Sequence, residues 1–187
     1  MHQQRCSWVK LNEPLYVEYH DKEWGKPLHD DRALFELFCL ETQSAGLSWL
    51  MILKRREGYR EAFEGFELEN VAQYGEKDVV RILESGQVIK HRAKIESIID
   101  NAKGFLKIKK EYGSLDRYFW NYVGGRAIIN HHHDAKEALT QSKISDAMTK
   151  DLKKRGFKFV GSVTLYAFMQ ACGMVNDHEI GCWCHLA

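Results

Sequence analysis

The chain has 187 residues, 44% of them hydrophobic and 28% charged, and a formal net charge of +1. This length and composition indicate one folded domain, or two lobes that share a core, and the near-neutral charge by itself says nothing about a nucleic-acid partner. Charged residues interrupt every hydrophobic stretch, and the first residues lack the apolar core of a signal peptide, so we expect no membrane span and no export. Five cysteines without a dense framework favour the reducing cytoplasm.

Helices are predicted in the first part of the chain from apolar residues at helical spacing. Asp30 or Asp31 can cap a helix whose apolar residues run over 34–40, and Gly46 ends it. Ser48 can cap a short second helix that follows directly.

The middle and end of the chain also have a helical pattern. A helix over about residues 77–84 is followed by a tight connection through Gly86 and a long helix over about residues 91–110. Three further helices are predicted: one opened by Ser114, one capped by Ser145 and ending near Arg155, and one over about residues 161–172. No convincing pair of strands is predicted, so the sequence indicates an all-α fold.

A run of three histidines, His131 to His133, lies between two of these helices. Adjacent side chains point away from one another in any regular structure, which makes a shared ligand set difficult. We interpret the run as a polar loop, with a metal site as the alternative.

Four potential soft-metal ligands lie at opposite ends of the chain: Cys6, His20, His178 and Cys182. A Cys2His2 set is typical of a tetrahedral zinc site, and four protein ligands make such a site structural rather than catalytic. One ion would close almost the whole chain into a loop and stabilise the fold largely through the unfolded state. Two alternatives stay open: the cysteines are ordinary small apolar residues, or Cys184 and His185 act as ligands instead.

Glu41 lies on the apolar stripe of its helix, three residues after Phe38 and seven after Leu34. A carboxylate there either reaches water at the edge of the stripe or is buried for a purpose, because burying it unpaired costs several kcal/mol. Aromatic residues are concentrated nearby, namely Trp8, Tyr16, Tyr19, Trp24 and Trp49. Such residues beside a carboxylate are typical of a pocket for a flat, electron-poor ring, with simple core packing as the alternative.

The connection between the two middle helices is basic, with Lys90, His91, Arg92 and Lys94. A helix N-terminus is a ready site for a phosphate, and phosphate contacts position a protein on DNA without reading sequence. We therefore predict that these four residues contact a DNA backbone. A plain pair of helices is the alternative, and residues 153–158 are the next candidate for a DNA surface.

Longer motifs follow one another along nearly the whole chain. They are Cys6-x-Trp8 and the runs Tyr19 to Gly25, Leu40 to Trp49, Lys154 to Gly161, Met169 to Gly173 and Val175 to Cys182. Together they resemble the 3-methyladenine DNA glycosylase I family of the helix-hairpin-helix superfamily. One departure is Gln87, which stands directly before Val88 and Ile89 where the family pattern has a glycine.

The resemblance implies an all-α, two-lobed fold, with a helix-hairpin-helix lobe at about residues 31–112 and a terminal lobe formed by residues 1–30 and 113–187. It implies one structural Zn²⁺ that joins the termini through Cys6, His20, His178 and Cys182. It also implies a base pocket, in which Glu41 works with Trp8, Tyr16, Tyr19, Trp24 and Trp49.

The implied activity is DNA repair by base excision. Such an enzyme flips a methylated nucleotide out of double-stranded DNA, hydrolyses its N-glycosidic bond and releases free 3-methyladenine. Glu41, the expected catalytic residue, would accept a hydrogen bond from the base, and the aromatic residues would favour its cationic ring. Residues 107–111 lack the aspartate that many relatives place beyond the hairpin, and no lysine stands out as a nucleophile. We therefore expect excision of the base without cleavage of the strand. We also expect the protein to be a monomer.

Two other functions stay open at this point. One is a zinc-stabilised DNA-binding module that recognises damage without catalysis, and the other is a glycosylase that acts on a wider range of alkylated purines. A pure binding module would need the hairpin but not a carboxylate inside an aromatic pocket. Release of free base from methylated DNA distinguishes these functions.

Overall fold

The computed structural model describes residues 4–185, and helices dominate it. The α-helices are α1 (Pro14–Lys22), α2 (Asp31–Ser44), α3 (Trp49–Leu53), α4 (Arg56–Ala62), α5 (Leu68–Val71), α6 (Glu76–Ser85), α7 (Arg92–Tyr112), α8 (Leu115–Trp120), α9 (Lys143–Lys154) and α10 (Ser162–Ala171). Short 3₁₀ turns lie at Glu64–Phe66 and Asn121–Val123. The predicted all-α class is confirmed, and none of the described helices is long and apolar enough to cross a membrane.

One small strand pair was not predicted. Strand β1 (Ile128–Ile129) runs parallel to β2 (Val175–Asn176), with Ile128 opposite Val175. Two residues are too few for the alternation of apolar and polar side chains that marks a strand in a sequence. The pair fixes the segment after α8 beside the segment after α10, so the histidine run lies next to the C-terminal metal-ligand candidates.

Side-chain caps explain several helix starts. Asp30, rather than Asp31, caps α2, and Ser48 caps α3 as predicted. The prediction of Ser145 as the cap of α9 is wrong, because Ser142 holds that position. The Ser142 hydroxyl accepts from the backbone N–H of Ser145 at 3.1 Å, and the Ser145 hydroxyl accepts from the backbone N–H of Ser142 at 2.8 Å. Both serines thus belong to one capping box, and the sequence pattern placed the cap three residues late.

The main core lies between α2, α7, α8 and α10. Phe38 is fully buried at its centre, with ring centroids 4.8 Å from Phe105 and 5.6 Å from Phe168. Phe38 and Phe105 belong to the predicted hairpin lobe and Phe168 to the predicted terminal lobe, so apolar contacts run without a break between the two. The predicted boundary between lobes stays a prediction.

The connection between α6 and α7 makes the tight turn that was predicted. Gly86 ends α6 in the left-handed region with a φ of +70°. Gln87 lies against α4, where a Cβ added to Gly58 would meet the Gln87 carbonyl oxygen at 2.7 Å, so only glycine permits this approach. The backbone N–H of Ile89 donates to the hydroxyl of Tyr59 at 3.2 Å. Contacts with α4 therefore hold this turn.

Candidate functional site

A cavity of about 420 Å³ is lined by residues of α1, α2, α3 and α10 and of the loop after β1. Every residue predicted to bind a base lines it: Trp8, Tyr16, Tyr19, Trp24, Glu41 and Trp49. Its volume falls within the range of sites for small molecules, roughly 300–1,000 Å³. The fold thus brings residues from the N-terminal segment and from two later helices to one concave surface.

Glu41 is buried in the wall of this cavity, with 5% of its surface exposed. Within the described part of the chain, no hydrogen bond or ion pair holds its carboxyl group. Burial raises the pKa of Glu41 to about 8, so most of the carboxyl is protonated at neutral pH. A cation placed beside the carboxyl would favour its ionised form. Of the two placements considered from sequence, the structure has the buried one.

Aromatic side chains make up the wall next to Glu41. The ring centroids of Trp8 and Tyr16 are 5.2 Å apart, and those of Trp8 and Trp24 are 4.9 Å apart. Tyr19 connects this group to α3, since its ring lies 5.4 Å from that of Trp49. Burial is the main cause of the raised pKa of Tyr19, and the negative charge of Glu41 adds to it. An electron-rich wall beside a buried carboxyl suits a flat ring that carries positive charge.

A second carboxylate in the cavity wall escaped the sequence analysis. Asp177, just after β2, is buried. Its Oδ1 accepts from the Asn130 side chain at 2.6 Å, and its Oδ2 accepts from the Tyr166 hydroxyl at 2.8 Å and the Gln170 amide at 2.7 Å. Three donors occupy most of its acceptor capacity, in contrast to Glu41. The sequence feature that could have identified Asp177 is its position directly before the predicted ligand His178.

The histidine run forms a loop, as predicted, but its middle member is not a surface residue. His132 is 6% exposed and lines the cavity. Its backbone carbonyl accepts from the N–H of Ile180 at 2.9 Å, which ties the loop to the C-terminal segment. Nothing in a run of three identical residues indicates which one is buried, because this contact is formed with a segment almost fifty positions away.

The four predicted metal ligands lie together behind the aromatic wall. Cys6, His20, His178 and Cys182 are all buried, and their donor atoms lie within 4.8 Å of one another. The Sγ of Cys6 is 3.4 Å from Nδ1 of His178, and the Sγ of Cys182 is 3.4 Å from Nε2 of His20. A tetrahedral zinc ion with ordinary bond lengths sets sulfur and nitrogen about 3.5 Å apart. The donor set therefore has the chemistry and spacing for one Zn²⁺.

The two histidines are oriented by further hydrogen bonds. His20 Nδ1 is 2.8 Å from a carboxylate oxygen of Asp21, and His178 Nε2 is 3.0 Å from the carbonyl oxygen of Trp24. Each contact leaves the other ring nitrogen facing the thiols, which is the usual arrangement around metal-binding histidines. Burial lowers the pKa of His178 to about 4, so this ring is neutral at neutral pH.

The alternative ligands lie at the edge of this cluster. Cys184 belongs to a separate group with His20 and Asp21, in which only His20 is buried. The backbone N–H of Cys184 points to the Sγ of Cys182 at 3.4 Å. Nδ1 of His185 lies 2.9 Å from the carbonyl oxygen of His178. Both residues thus surround the four-donor cluster instead of completing it.

The ligand cluster and the aromatic wall are one packed unit. The ring centroid of Trp8 is 5.3 Å from that of His20, and the ring centroid of Trp24 is 4.6 Å from that of His178. Both tryptophans also line the cavity. The cluster and the pocket therefore share the two tryptophans as a common wall.

The predicted DNA-backbone residues lie in different environments. Lys90 is exposed, and His91 is the N-cap of α7. Arg92 is exposed, but its guanidinium pairs with Glu76 at 2.9 Å and Glu96 at 3.3 Å. Two of these positions therefore present a cationic side chain at the surface.

Lys94 requires a correction. It is 6% exposed, and its ammonium donates to the carbonyl oxygens of Gln43 at 2.7 Å and Ala45 at 2.8 Å. These carbonyls belong to the C-terminal end of α2, where a cation is favoured by the helix dipole and satisfies unpaired acceptors. Lys94 thus joins α7 to α2 and cannot reach a phosphate in this position.

The chain is similar over nearly its whole length to characterised glycosylases. The family model for methyladenine glycosylase matches residues 8–185. DNA-3-methyladenine glycosylase 1 of Escherichia coli (strain K12) is 46% identical over 182 residues, which cover 97% of each chain. The crystal structure of a 3-methyladenine DNA glycosylase I superposes on this chain with a TM-score of 0.94 and 48% sequence identity. The alignment covers 98% of this chain and 100% of that one.

One solved relative concerns ligand recognition. The 3-methyladenine DNA glycosylase I of Staphylococcus aureus, whose structure addresses the basis of 3-methyladenine recognition, is 41% identical with a TM-score of 0.94. The alignment covers 98% of this chain and 97% of that one.

Proposed function

The chain belongs to the methyladenine glycosylase family, and we propose that it excises 3-methyladenine from alkylated DNA by hydrolysing the N-glycosidic bond, without cleaving the strand. The observation that carries this proposal is the buried, unpaired carboxyl of Glu41 in an aromatic cavity. A pocket of this composition distinguishes a cationic ring from a neutral one of the same shape.

The chemistry of the substrate explains why such a pocket suffices. Methylation at N3 puts a positive charge on adenine, so its bond to the sugar is weak and the base departs as a neutral molecule. The cationic ring beside the aromatic wall favours the ionised form of Glu41, which releases its proton to water and forms an ion pair with the base. Unmodified adenine gains neither the ion pair nor the cation–π attraction. Glu41 thus selects and orients the base whose bond is already labile.

The base reaches the cavity only after it leaves the duplex, so the enzyme acts on a flipped nucleotide in double-stranded DNA. We assign backbone contacts to Lys90 and Arg92, on a helix-hairpin-helix motif formed by α6, the connection and α7. His91 caps α7 by accepting from the backbone N–H of Lys94, and the other N–H groups of the first turn would be available to a phosphate. We further propose that the enzyme acts as a monomer, which light scattering of the purified protein tests.

We propose one structural Zn²⁺, held by Cys6, His20, His178 and Cys182. The spacing and burial of the four donors and the orientation of both histidine rings support it. Four protein ligands fill a tetrahedral shell and leave no position for water, so the ion would join the termini and take no part in the reaction.

The test is incubation of the purified protein with duplex DNA methylated by dimethyl sulfate, followed by chromatography of the released bases. We expect free 3-methyladenine well above spontaneous release, with strand breaks only after alkali treatment. Binding to the DNA with no release would instead support a recognition module. Release of several alkylated purines at similar rates would support the wider substrate range.

A further inference from the structure

The histidine loop contributes a side chain to the cavity whose chemistry the proposed function has not used. His132 is buried, lines the cavity, and has a ring Nε2 with no hydrogen-bond partner among residues 4–185. Leaving such an atom buried and unpaired costs roughly 1–3 kcal/mol. A buried, unpaired ring nitrogen calls for an explanation, and on a residue that lines a cavity a contact with the bound ligand supplies one.

The other ring nitrogen determines what Nε2 can do. Nδ1 of His132 lies 3.0 Å from the backbone carbonyl oxygen of Asp134. A carbonyl accepts only, so Nδ1 carries the hydrogen and donates it. In the neutral ring Nε2 then carries none and is a hydrogen-bond acceptor.

The substrate offers few donors to such an acceptor. Adenine methylated at N3 and joined to deoxyribose at N9 has ring nitrogens without hydrogen, and its exocyclic amine carries the only N–H groups of the base. This amine has two of them, so it can donate to Glu41 and to a second acceptor together. In the cationic base both N–H groups are polarised, which strengthens each hydrogen bond.

We propose that His132 is a specificity-determining residue of this pocket, whose Nε2 accepts a hydrogen bond from the exocyclic amine of bound 3-methyladenine. This inference rests on the proposed function and adds a second contact to the base edge. Nε2 itself has almost no exposed surface, so the contact requires a local shift of the residues around it when the base binds.

The test compares two free bases, 3-methyladenine and 3-methylpurine, which lacks the amine. Their affinities are measured by tryptophan fluorescence for the wild type, His132→Phe and His132→Gln. We expect His132→Phe to weaken 3-methyladenine binding about tenfold and to leave 3-methylpurine binding unchanged. His132→Gln places a carbonyl oxygen near the position of Nε2 and should restore most of the difference.

Equal losses for both bases in His132→Phe would show a merely structural role and overturn the proposal, as would no loss for either. If the wild type releases 3-methyladenine from DNA and the His132 variants bind both bases as the wild type does, only this inference is overturned. A wild type that neither binds nor releases 3-methyladenine would overturn the proposed function as well.

A measurement on the wild-type protein tests the same contact without requiring that the variants fold. The ¹⁵N resonance of His132 Nε2 should move when 3-methyladenine saturates the pocket and stay in place with 3-methylpurine, whereas Nδ1 should keep its hydrogen in both cases. An unmoved Nε2 resonance with 3-methyladenine bound would contradict the contact.

Discussion

The cavity and the basic α6–α7 connection were both predicted from residues close together in the sequence, and they differ in outcome. All six residues predicted for the base pocket line one cavity. The four residues predicted to contact DNA are divided among an exposed lysine, a helix cap, an ion-paired arginine and a buried lysine.

The difference reflects how each kind of side chain finds its place. Large aromatic residues are drawn to the interior, where few positions are available to them. A carboxylate on an apolar stripe is placed there by the packing of its helix, although its own burial is unfavourable. Long basic side chains can lie in solvent, pair with a neighbouring carboxylate or cover a helix end at similar free energy. A group of aromatic residues is therefore better evidence of a common site than a group of basic ones.

The largest expected effect concerns the cluster behind the cavity. Cys182→Ser should leave less than half an equivalent of zinc and lower Tm by about 10 °C or more, because the proposed zinc ion would no longer join the termini. Excision should fall too, since the aromatic wall packs on the cluster. Elemental analysis and thermal denaturation measure both, with Cys184→Ser as the matched control. Zinc retained in the Cys182 variant and lost in the control would contradict this ligand set.

Substitution of Glu41 in the cavity should lower the excision activity while the protein stays folded. Glu41→Gln should reduce excision of 3-methyladenine by about 100-fold or more and leave binding to undamaged duplex unchanged, because only the contact with the cationic base is lost. Glu36→Gln is the control, since Glu36 lies on the same helix and pairs with Arg60. Release of free base at the wild-type rate by the Glu41 variant would show that the pocket is wrongly assigned.

The buried carboxyl should also affect stability as a function of pH. Burial raises the pKa of Glu41 to about 8 from 4.5, so the folded state holds the proton more tightly than the unfolded state. The contribution to the free energy of unfolding is complete below about pH 4.5 and is lost as the pH rises to about 8. Glu41→Gln, which does not titrate, should gain in Tm relative to the wild type over that interval. A difference in Tm that stays constant with pH would contradict burial of an unpaired carboxyl.

Lys94 offers a sharper comparison within the basic connection. Lys94→Met should lower Tm by a few degrees, because about 1–3 kcal/mol is lost when the two α2 carbonyls lose their donor. Its DNA affinity should keep the wild-type dependence on salt. A weaker salt dependence with an unchanged Tm would place the Lys94 ammonium on the DNA after all.

The smallest effects belong to the exposed cations. Lys90→Ala should weaken binding to all duplexes alike and reduce the slope of log affinity against log salt by about one unit. Arg92→Ala should do less, because the guanidinium already pairs with Glu76 and Glu96. Binding titrations at several salt concentrations measure both. Slopes equal to the wild type in both variants would move the DNA surface to residues 153–158.

The sequence analysis did not predict α1, α4 or α5, and it left the burial of Glu41 as one of two alternatives. Local sequence determined the other helices, the cap at Ser48 and the turn at Gly86. Helical periodicity and capping act over a few residues, so each of these features is contained in a short stretch. The motifs that resemble known glycosylases also fixed the family, and nearly the whole chain is similar to its members.

Tertiary structure decided which groups lie opposite one another. The burial of Lys94 depends on the end of α2, the burial of His132 on the C-terminal segment, and the held carboxylate of Asp177 on α10. Each contact joins segments that are distant in the chain or on different elements, so no local pattern contains it. A sequence specifies which face of a helix is apolar, but the partner for a polar group on that face is determined only when the elements pack together.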